Sequence, residues 1–582
     1  MSNIFKYLKP YKWGILVVFF LVALRAGLDL LLPMILGFLV NDGIGLSASA
    51  VNPNVSKIWE FAFMMLGISV ISIIVTIISG FMESKISAGF AVDLRKAVYK
   101  KIEQFSLTEM DHFTTSSLIT RTTNDIQQLQ SYVNTLLRMI ILQPFLAVGA
   151  IFFSVAQQPT LSMLLIVSVV SLVTMLIIIF AITLPKFQLM QKLVDKLNLV
   201  TRENLSGLRV VRAYNTQEVQ AGRIDDASKE TMKLNIFVNR IMSIMWPIMG
   251  LIMGLTSLGI VYLGSAYFIG IVDGFEPGQM IALMQYAMRA IMSFMFLTMI
   301  FIMIPRATIS ARRVAEVLNM EISIMDPKSP VELPEKLNGE IVFDHVYFQY
   351  PDAQAPVLSD ISFVAKPNKT TAFIGSTGSG KSTLINLIPR FYENTSGDIK
   401  IDGIDIKDLR QEDLHKLLGY VPQQGILFSG SIKENILFGK EPDDEGLMVE
   451  ASRIAQAVEF ISSYDDAYEY MIAQGGRNVS GGQRQRLSIA RAIAKKPLIY
   501  IFDDSFSALD YRTDNNLRNM LDEKVIATKL IVAQRINTIR HADQIIVLDQ
   551  GTIVGKGTHE ELIKSCGVYQ EIAYSQLSKE EL

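Results

Sequence analysis

Gly375-Ser376-Thr377-Gly378-Ser379-Gly380-Lys381-Ser382 follows the apolar segment Thr371–Ile374 and precedes a helix-forming run, Thr383–Ile388. A G-x-x-x-x-G-K-S octamer set between a strand and a helix is the pattern of a phosphate-binding loop. Its glycines let the backbone curl until several N–H groups converge on phosphate oxygens, and the helix N-terminus adds a positive dipole. In that setting Lys381 reaches the β- and γ-phosphates of a nucleotide, and Ser382 coordinates Mg²⁺. The octamer predicts an α/β domain built to hold a nucleoside triphosphate.

Outward from this loop the composition divides. Half of the 582 residues are hydrophobic and only 19% are charged, too apolar for a water-soluble chain of this length. The apolar residues are concentrated in six runs, roughly 14–40, 61–82, 133–156, 161–184, 241–271 and 280–304. Each meets the ~20 residues that a helix needs to cross ~30 Å of hydrocarbon. A net charge of −2 leaves no basic stripe to neutralise phosphates, so nucleic acid is not an expected partner. The single cysteine, Cys566, excludes an internal disulfide and a cysteine metal cluster. Met1–Trp13, with Lys6, Lys9 and Lys12, reads as an amphipathic elbow on the cytoplasmic leaflet, the first span acting as its own insertion signal.

The connections between the runs alternate in character. Loops 41–57, 157–160 and 272–279 are short and almost free of Lys and Arg, whereas 83–132 and 185–240 are long and rich in both. Positive charge marks the cytoplasmic side. Both termini and the nucleotide domain are therefore expected in the cytoplasm, and each long segment is expected to form a pair of helical arms. Phe113–Asp125 and Asn204–Tyr214 are the expected tips, placed to dock on the nucleotide domain or to serve only as hairpin turns. Residues 306–340 read as a linker after a membrane domain (1–305, elbow 1–13), and 341–582 as the nucleotide domain.

The second half carries further motifs in a fixed order. Tyr350 closes Val346-Tyr347-Phe348-Gln349-Tyr350-Pro351; Gln423 lies in Gly419-Tyr420-Val421-Pro422-Gln423-Gln424; Val479-Ser480-Gly481-Gly482-Gln483 is followed by Arg484-Gln485-Arg486. Leu498–Asp503 is an apolar strand ending in a carboxylate, and Ser507-Ala508-Leu509-Asp510 comes after it. Two glycines opening a helix at Gly481 expose N–H groups suited to an anion. Together these motifs resemble the nucleotide-binding domain of the ATP-binding cassette (ABC) family, and their place behind six spans resembles an ABC exporter half-transporter over essentially the whole chain. The resemblance implies that Tyr350 stacks on adenine and that Gly375, Ser376, Thr377, Gly378, Ser379, Gly380, Lys381, Ser382 and Thr383 hold the phosphates. It further implies that Ser382, Gln423 and Asp503 serve Mg²⁺. Ser480, Gly481, Gly482 and Gln483 would face ATP held by a second such domain, so that two ATP molecules are sandwiched between a head-to-tail pair, and Asp510 is a further nucleotide-binding residue that the resemblance implies.

Two positions depart from the family's pattern. Asp504 stands where the family has the glutamate that polarises the attacking water, and Gln534, in Ala533-Gln534-Arg535, stands where it has a histidine. A carboxylate one methylene shorter sits more than ~1 Å from where it is needed, an error that costs on the order of 100-fold. A glutamine can hydrogen-bond a γ-phosphate but cannot become an imidazolium. With Asp504, Gln534 and Gln423 as its catalytic set, the chain's own site is expected to bind ATP and hydrolyse it slowly. The expected fold is thus multi-domain, an all-α six-helix transmembrane domain with long cytoplasmic extensions followed by an α/β P-loop domain. The expected function is one subunit of a heterodimeric, multidrug-type exporter of hydrophobic compounds in the cell membrane, using ATP and Mg²⁺. A homodimeric lipid or peptide exporter and an ATP-gated regulator or channel remain alternatives.

Two features of the spans suggest a cargo path. Methionines recur at helical spacing, Met242, Met245, Met249 and Met253 in the fifth span and Met280, Met284, Met288, Met292, Met295, Met299 and Met303 in the sixth. Such faces either line an adaptable apolar cavity or pack between helices. Arg25 and Asp29, four apart in the first span, either serve transport or neutralise each other. Arg138 and Arg289 are placed to face a wet cavity.

Overall fold

The computed structural model describes residues 2–46, 52–268, 276–351, 353–440 and 444–577. The chain divides into two compact units, Met1–Glu103 with Thr115–Met320, and Gln104–Thr114 with Glu321–Leu582.

The first unit is helical. Lys12–Phe38, Val55–Ile102, Pro159–Ser206, Gln217–Phe268 and Pro277–Asn319 are long helices, and Thr115–Gln157 is a segmented one. Among the described residues, six helices are long and apolar enough to cross a membrane. Phe19, Phe20, Ile73, Ile74, Ile77 and Phe81 turn outward and are exposed. An apolar surface of that extent is costly in water and natural in hydrocarbon. Inside, Leu30, Ala150, Leu161, Leu165, Ile260, Ala282 and Tyr286 form a buried cluster, and the Tyr286 hydroxyl donates to the carbonyl of Leu30 at 3.0 Å. Tyr11 ends the elbow by donating to Asp93 at 2.8 Å, and a side chain at Gly89 would collide with the Tyr11 ring.

Val55–Ile102 has 48 residues, a length of ~72 Å at ~1.5 Å per residue. That is more than twice the hydrocarbon thickness, so the span continues as an arm. The expected linker 306–340 is shorter than its composition suggested, because the sixth helix runs on to Asn319. Ala307, Ala311, Val314 and Val317 are buried at helical spacing there, and that periodicity keeps the helix going after the hydropathy falls. Arg121 donates to Glu316 at 2.9 Å and Ser310 to Asp125 at 2.8 Å, tying the returning arm to this extension.

The membrane-side expectations separate. Arg25 and Asp29 pair at 3.8 Å, and Ser72 of the second span donates to Asp29 at 2.9 Å, as in the self-neutralising account. Met249 is buried with Leu172, Leu176 and Ile291, and Met245, Met253 and Met295 pack on that cluster. Met280 and Met284 pack around Tyr286. Met288 alone of these is exposed; the side chain of Met299 lies outside the described residues.

The tips differ from expectation in one place. The helix that joins the second unit is Leu107–His112, upstream of Phe113–Asp125. Ser106 and Glu109 form a reciprocal capping box at its start, which fixes where this helix begins. Thr115–Asp125 belongs instead to the returning arm. The second tip helix, Leu208–Ala213, falls within Asn204–Tyr214.

The second unit is built on two main sheets. Its strands are β1 (Ile341–Phe348), β2 (Leu358–Ala365), β3 (Thr370–Gly375), β4 (Ser396–Ile401), β5 (Ile404–Asp405), β6 (Leu418–Val421), β7 (Gly430–Ser431), β8 (Met471–Ile472), β9 (Ile499–Asp503), β10 (Thr528–Val532), β11 (Gln544–Asp549) and β12 (Thr552–Gly557). An antiparallel sheet has the order β2-β1-β4-β5; the larger sheet has the order β12-β11-β3-β10-β9-β6. Within the larger sheet β11, β3, β10, β9 and β6 are mutually parallel and only β12 runs the other way. Strands covered on both faces read as unbroken apolar runs, and β9 and β10 are buried along their whole length. In an open parallel sheet, ligands bind beyond the carboxyl ends of the strands. Those ends gather the motifs: Gly375 ends β3, Gln534 follows β10, Asp503 ends β9 with Asp504 next after it, and Gln423 follows β6.

Candidate nucleotide site

The loop after β3 takes the shape its glycines permit. Gly380 sits at φ +96° immediately before the helix Lys381–Leu387, in the left-handed region that other residues enter at a cost of ~1–2 kcal/mol. A side chain at Gly375 would strike the carbonyl of Leu548 on β11. The Lys381 ammonium is folded over the loop and donates to the carbonyls of Gly375 at 2.9 Å and Ser376 at 2.7 Å. Burial pushes its pKa down, against the pull of Asp504 and Asp503.

Ser382 Oγ donates to Asp503 Oδ1 at 2.9 Å. The hydroxyl at the start of the helix and the carboxylate at the end of β9 thus form one pair of hard oxygen donors. Mg²⁺ is bound through few protein oxygens together with phosphate and water, and this pair fits such an ion. Burial raises the Asp503 pKa, opposed by the Ser382 hydrogen bond and reinforced by the charge of Asp504.

Asp504 is held differently. It is a non-glycine residue at φ +44°, a backbone strain that the surrounding structure must support. Its N–H donates to the carbonyl of Val532 at 3.0 Å, so β10 holds it in that conformation. Gln534 Nε2 donates to Asp504 Oδ2 at 2.9 Å, and Gln423 Nε2 reaches the same oxygen at 3.4 Å. Three loops, after β10, β9 and β6, therefore meet on one carboxylate. Burial raises its pKa, partly offset by hydrogen bonds from Ser507 and Gln423. Of the expected metal set, Ser382 and Asp503 are joined, while the Gln423 amide is turned to Asp504.

The signature segment opens the helix Gly481–Ala494 as the sequence predicts. Ser480 and Gln483 cap it reciprocally: Ser480 Oγ accepts from Gln483 N–H at 3.2 Å, and Gln483 Oε1 accepts from Ser480 N–H at 2.8 Å. A side chain at Gly481 would meet nothing within 4 Å, so this end of the helix is open. Asp510 caps the next helix, Tyr511–Lys524, accepting from Thr513 N–H at 3.0 Å. That backbone hydrogen bond holds its carboxylate below the usual range.

Known proteins match this arrangement along its length. Residues 15–301 match the family model for the ABC transporter transmembrane region, and residues 358–507 that for the ABC transporter domain. An uncharacterized ABC transporter ATP-binding protein of Mycobacterium tuberculosis is 36% identical over 98% of this chain and 97% of its own. YfiB of Bacillus subtilis, also named as an ABC transporter ATP-binding protein, is 35% identical over 100% of this chain and 99% of its own. The chain is an ABC transporter.

A Staphylococcus aureus protein named for multidrug export as an ATP-binding/permease protein is 30% identical over 97% of this ABC transporter and 98% of its own length. In fold, the transporter is like the structure of a bacterial Atm1-family ABC exporter with ATP bound, at a TM-score of 0.78 and 22% identity, over 98% of this chain and 99% of that one. It is a multi-pass membrane half-transporter whose ATPase domain is coupled to transport.

Within the ATPase unit of this ABC transporter, Tyr350 is the expected base-stacking residue. Its hydroxyl lies 3.0 Å from Thr383 Oγ1, which draws Thr383 toward the same end of the site. Its ring meets Tyr392 and Phe348 edge to face, at 5.2 and 4.8 Å between centroids. The Tyr392 hydroxyl in turn donates to Asp111 of the tip helix at 2.6 Å, and burial followed by that bond pushes its pKa up. The N–H of Leu107 donates to the carbonyl of Phe391 at 3.2 Å, and Glu109, almost fully buried, accepts from Ser323 N–H at 3.0 Å. Tyr392 and Asp111 carry no motif, so the sequence did not single them out. The Ser106-x-x-Glu109 capping signature was the one available signal that a docked helix starts there.

Proposed function

We propose that the chain is one half of a heterodimeric ABC exporter of hydrophobic compounds, holding ATP and Mg²⁺ at a site that hydrolyses slowly. Gly375–Thr383 cradle the triphosphate, Tyr350 offers its ring to the base, and Ser382 with Asp503 hold the ion, which supplies charge neutralisation at the phosphates. Ser480, Gly481, Gly482, Gln483 and Asp510 face the nucleotide of a second, different chain, which brings its own glutamate and histidine. The second half-transporter, the lipid bilayer and the hydrophobic cargo are its partners, and its ATPase domain and termini face the cytoplasm.

The observation that carries this reading is the Gln534–Asp504 hydrogen bond at 2.9 Å. A carboxylate that is to pull a proton from water needs a free oxygen aimed at that water. Here the shorter side chain has one oxygen engaged by an amide that cannot take up a proton. The slow site thus rests on residue type, and the amide hydrogen bond to Oδ2 leaves a single carboxylate oxygen, Oδ1, to meet a water. The multidrug name of the Staphylococcus aureus relative supports a hydrophobic cargo.

The test is to purify the chain alone, and together with the products of neighbouring genes, and to compare ATP turnover. Alone it should turn over well below ~1 s⁻¹, the low end of ordinary enzyme rates. Family-like turnover by two identical copies would overturn the heterodimer.

A further inference from the structure

The final helix of the ATPase unit, Gly567–Gln576, belongs to none of the motifs above. Tyr569, Ala573 and Leu577 bury one face in the same apolar cluster as Ala533 and Ile536, the neighbours of Gln534. Its orientation is fixed further by Tyr569, whose hydroxyl lies 2.7 Å from His559 Nδ1. The last residue of the helix, Gln576, is exposed, yet both ends of its amide are engaged. Nε2 donates to the carbonyl of Gln534 at 2.7 Å, and Oε1 accepts from Ile536 N–H at 2.8 Å. One planar group therefore bridges the two peptide units on either side of Arg535, and neither peptide plane can rotate without breaking the bond it carries.

We infer that Gln576 is a positioning residue, clamping the loop after β10 so that the Gln534 side chain stays turned into the nucleotide pocket. The role deepens the slow site proposed above and rests on it. With the loop clamped, Gln534 is available to the γ-phosphate and to Asp504; with the loop released, its amide swings toward solvent and the γ-phosphate loses a donor. ADP has no γ-phosphate, so its retention does not depend on the clamp.

That difference supplies the test. Release of fluorescent mant-ATP and mant-ADP, each with Mg²⁺, is timed from the full-length chain in lipid nanodiscs. Gln576→Ala should speed ATP release about five-fold, the effect of one neutral hydrogen bond, and leave ADP release unchanged. Gln576→Glu retains the acceptor for Ile536 N–H but sets a carboxylate against the Gln534 carbonyl, so it should speed ATP release at least as much. Equal acceleration of ATP and ADP would mean general loosening and would overturn the clamp, as would ATP release at the unsubstituted rate. Gln534→Ala separates the levels. Fast ATP release in Gln534→Ala but not in Gln576→Ala overturns the clamp alone, whereas unchanged release in Gln534→Ala overturns the assigned role of Gln534 and the clamp with it.

Discussion

The two sides of the nucleotide pocket are built from the same sheet and to different standards. On the phosphate side, the loop after β3 and the end of β9 bring Ser382 and Asp503 to 2.9 Å, with every residue of the family pattern in place. On the water side, the loops after β10 and β6 bring Gln534 and Gln423 onto Asp504, and two of the three residues depart from that pattern. On the proposed reading, holding a nucleotide and cutting it are separable properties of one fold, set by a few side chains at strand ends.

The strongest way to break this contrast is to remove the phosphate side. Lys381→Ala should lower ATP affinity by 100-fold or more, since a charge-assisted contact to phosphate contributes ~1.5–3 kcal/mol and Lys381 is expected to make several. Isothermal titration with Mg²⁺·ATP checks it; unchanged affinity would remove Lys381 from the site.

Sharpening the contrast means repairing the water side. Asp504→Glu combined with Gln534→His should raise ATP turnover at this chain's own pocket by 10- to 100-fold, the range recovered when a misplaced catalytic group is returned to position. Asp504→Glu alone should give less, because the Gln534 amide would still engage the carboxylate. Single-turnover hydrolysis with the partner's phosphate loop disabled is the measurement. A double variant no faster than the unsubstituted chain would place the slow step elsewhere.

Acid offers a milder perturbation of both sides. Burial raises the pKa of Asp503 and Asp504 above 3.8, so the folded unit binds protons that the unfolded chain has released. Their contribution to stability is therefore favourable at low pH and is lost as pH rises through the window above 3.8. Mg²⁺ needs the ionised Asp503, so Mg²⁺·ATP affinity should fall as pH drops into the same window, measured by titration in buffers from about neutral to acid. Asp503→Asn should bind weakly at every pH and remove most of that dependence.

The smallest expected effect lies where the base pocket meets the tip helix. Tyr392→Phe keeps the ring against Tyr350 and removes the donor to Asp111, a bond of ~1.5–3 kcal/mol to a charged group. ATP affinity should change by less than two-fold, while dye transport per ATP hydrolysed in proteoliposomes falls several-fold. An unaltered ratio would make that bond merely structural.

Much of this was legible in the residues. The octamer at Gly375 set the chain direction from strand to helix, because only glycine allows its backbone path, and Gly380 at φ +96° shows it. Among the described residues, the six apolar runs fall in six membrane-long helical stretches, because an unpaired peptide group in hydrocarbon is too costly for other forms. The first tip was misplaced at Phe113–Asp125, since a short amphipathic helix between breaks looks like its neighbours until its partner is known. The sixth apolar run ended at 304 and the membrane domain at 305, short of the helix end at Asn319, because falling hydropathy hid a helical face that continues through Val317.

The sequence by itself determined the class of the machine, the strand–loop–helix at Gly375–Ser382, and the two departures at Asp504 and Gln534, because those depend on residue type and local spacing. Tertiary structure alone decided that Gln534, Asp504 and Gln423 converge on one oxygen, that Tyr392 holds Asp111, and that Gln576 spans the loop after β10. These contacts join residues that are between 30 and 281 apart along the chain. Local pattern carries no information about such pairs; parallel strand order brings their ends together, and side-chain reach does the rest.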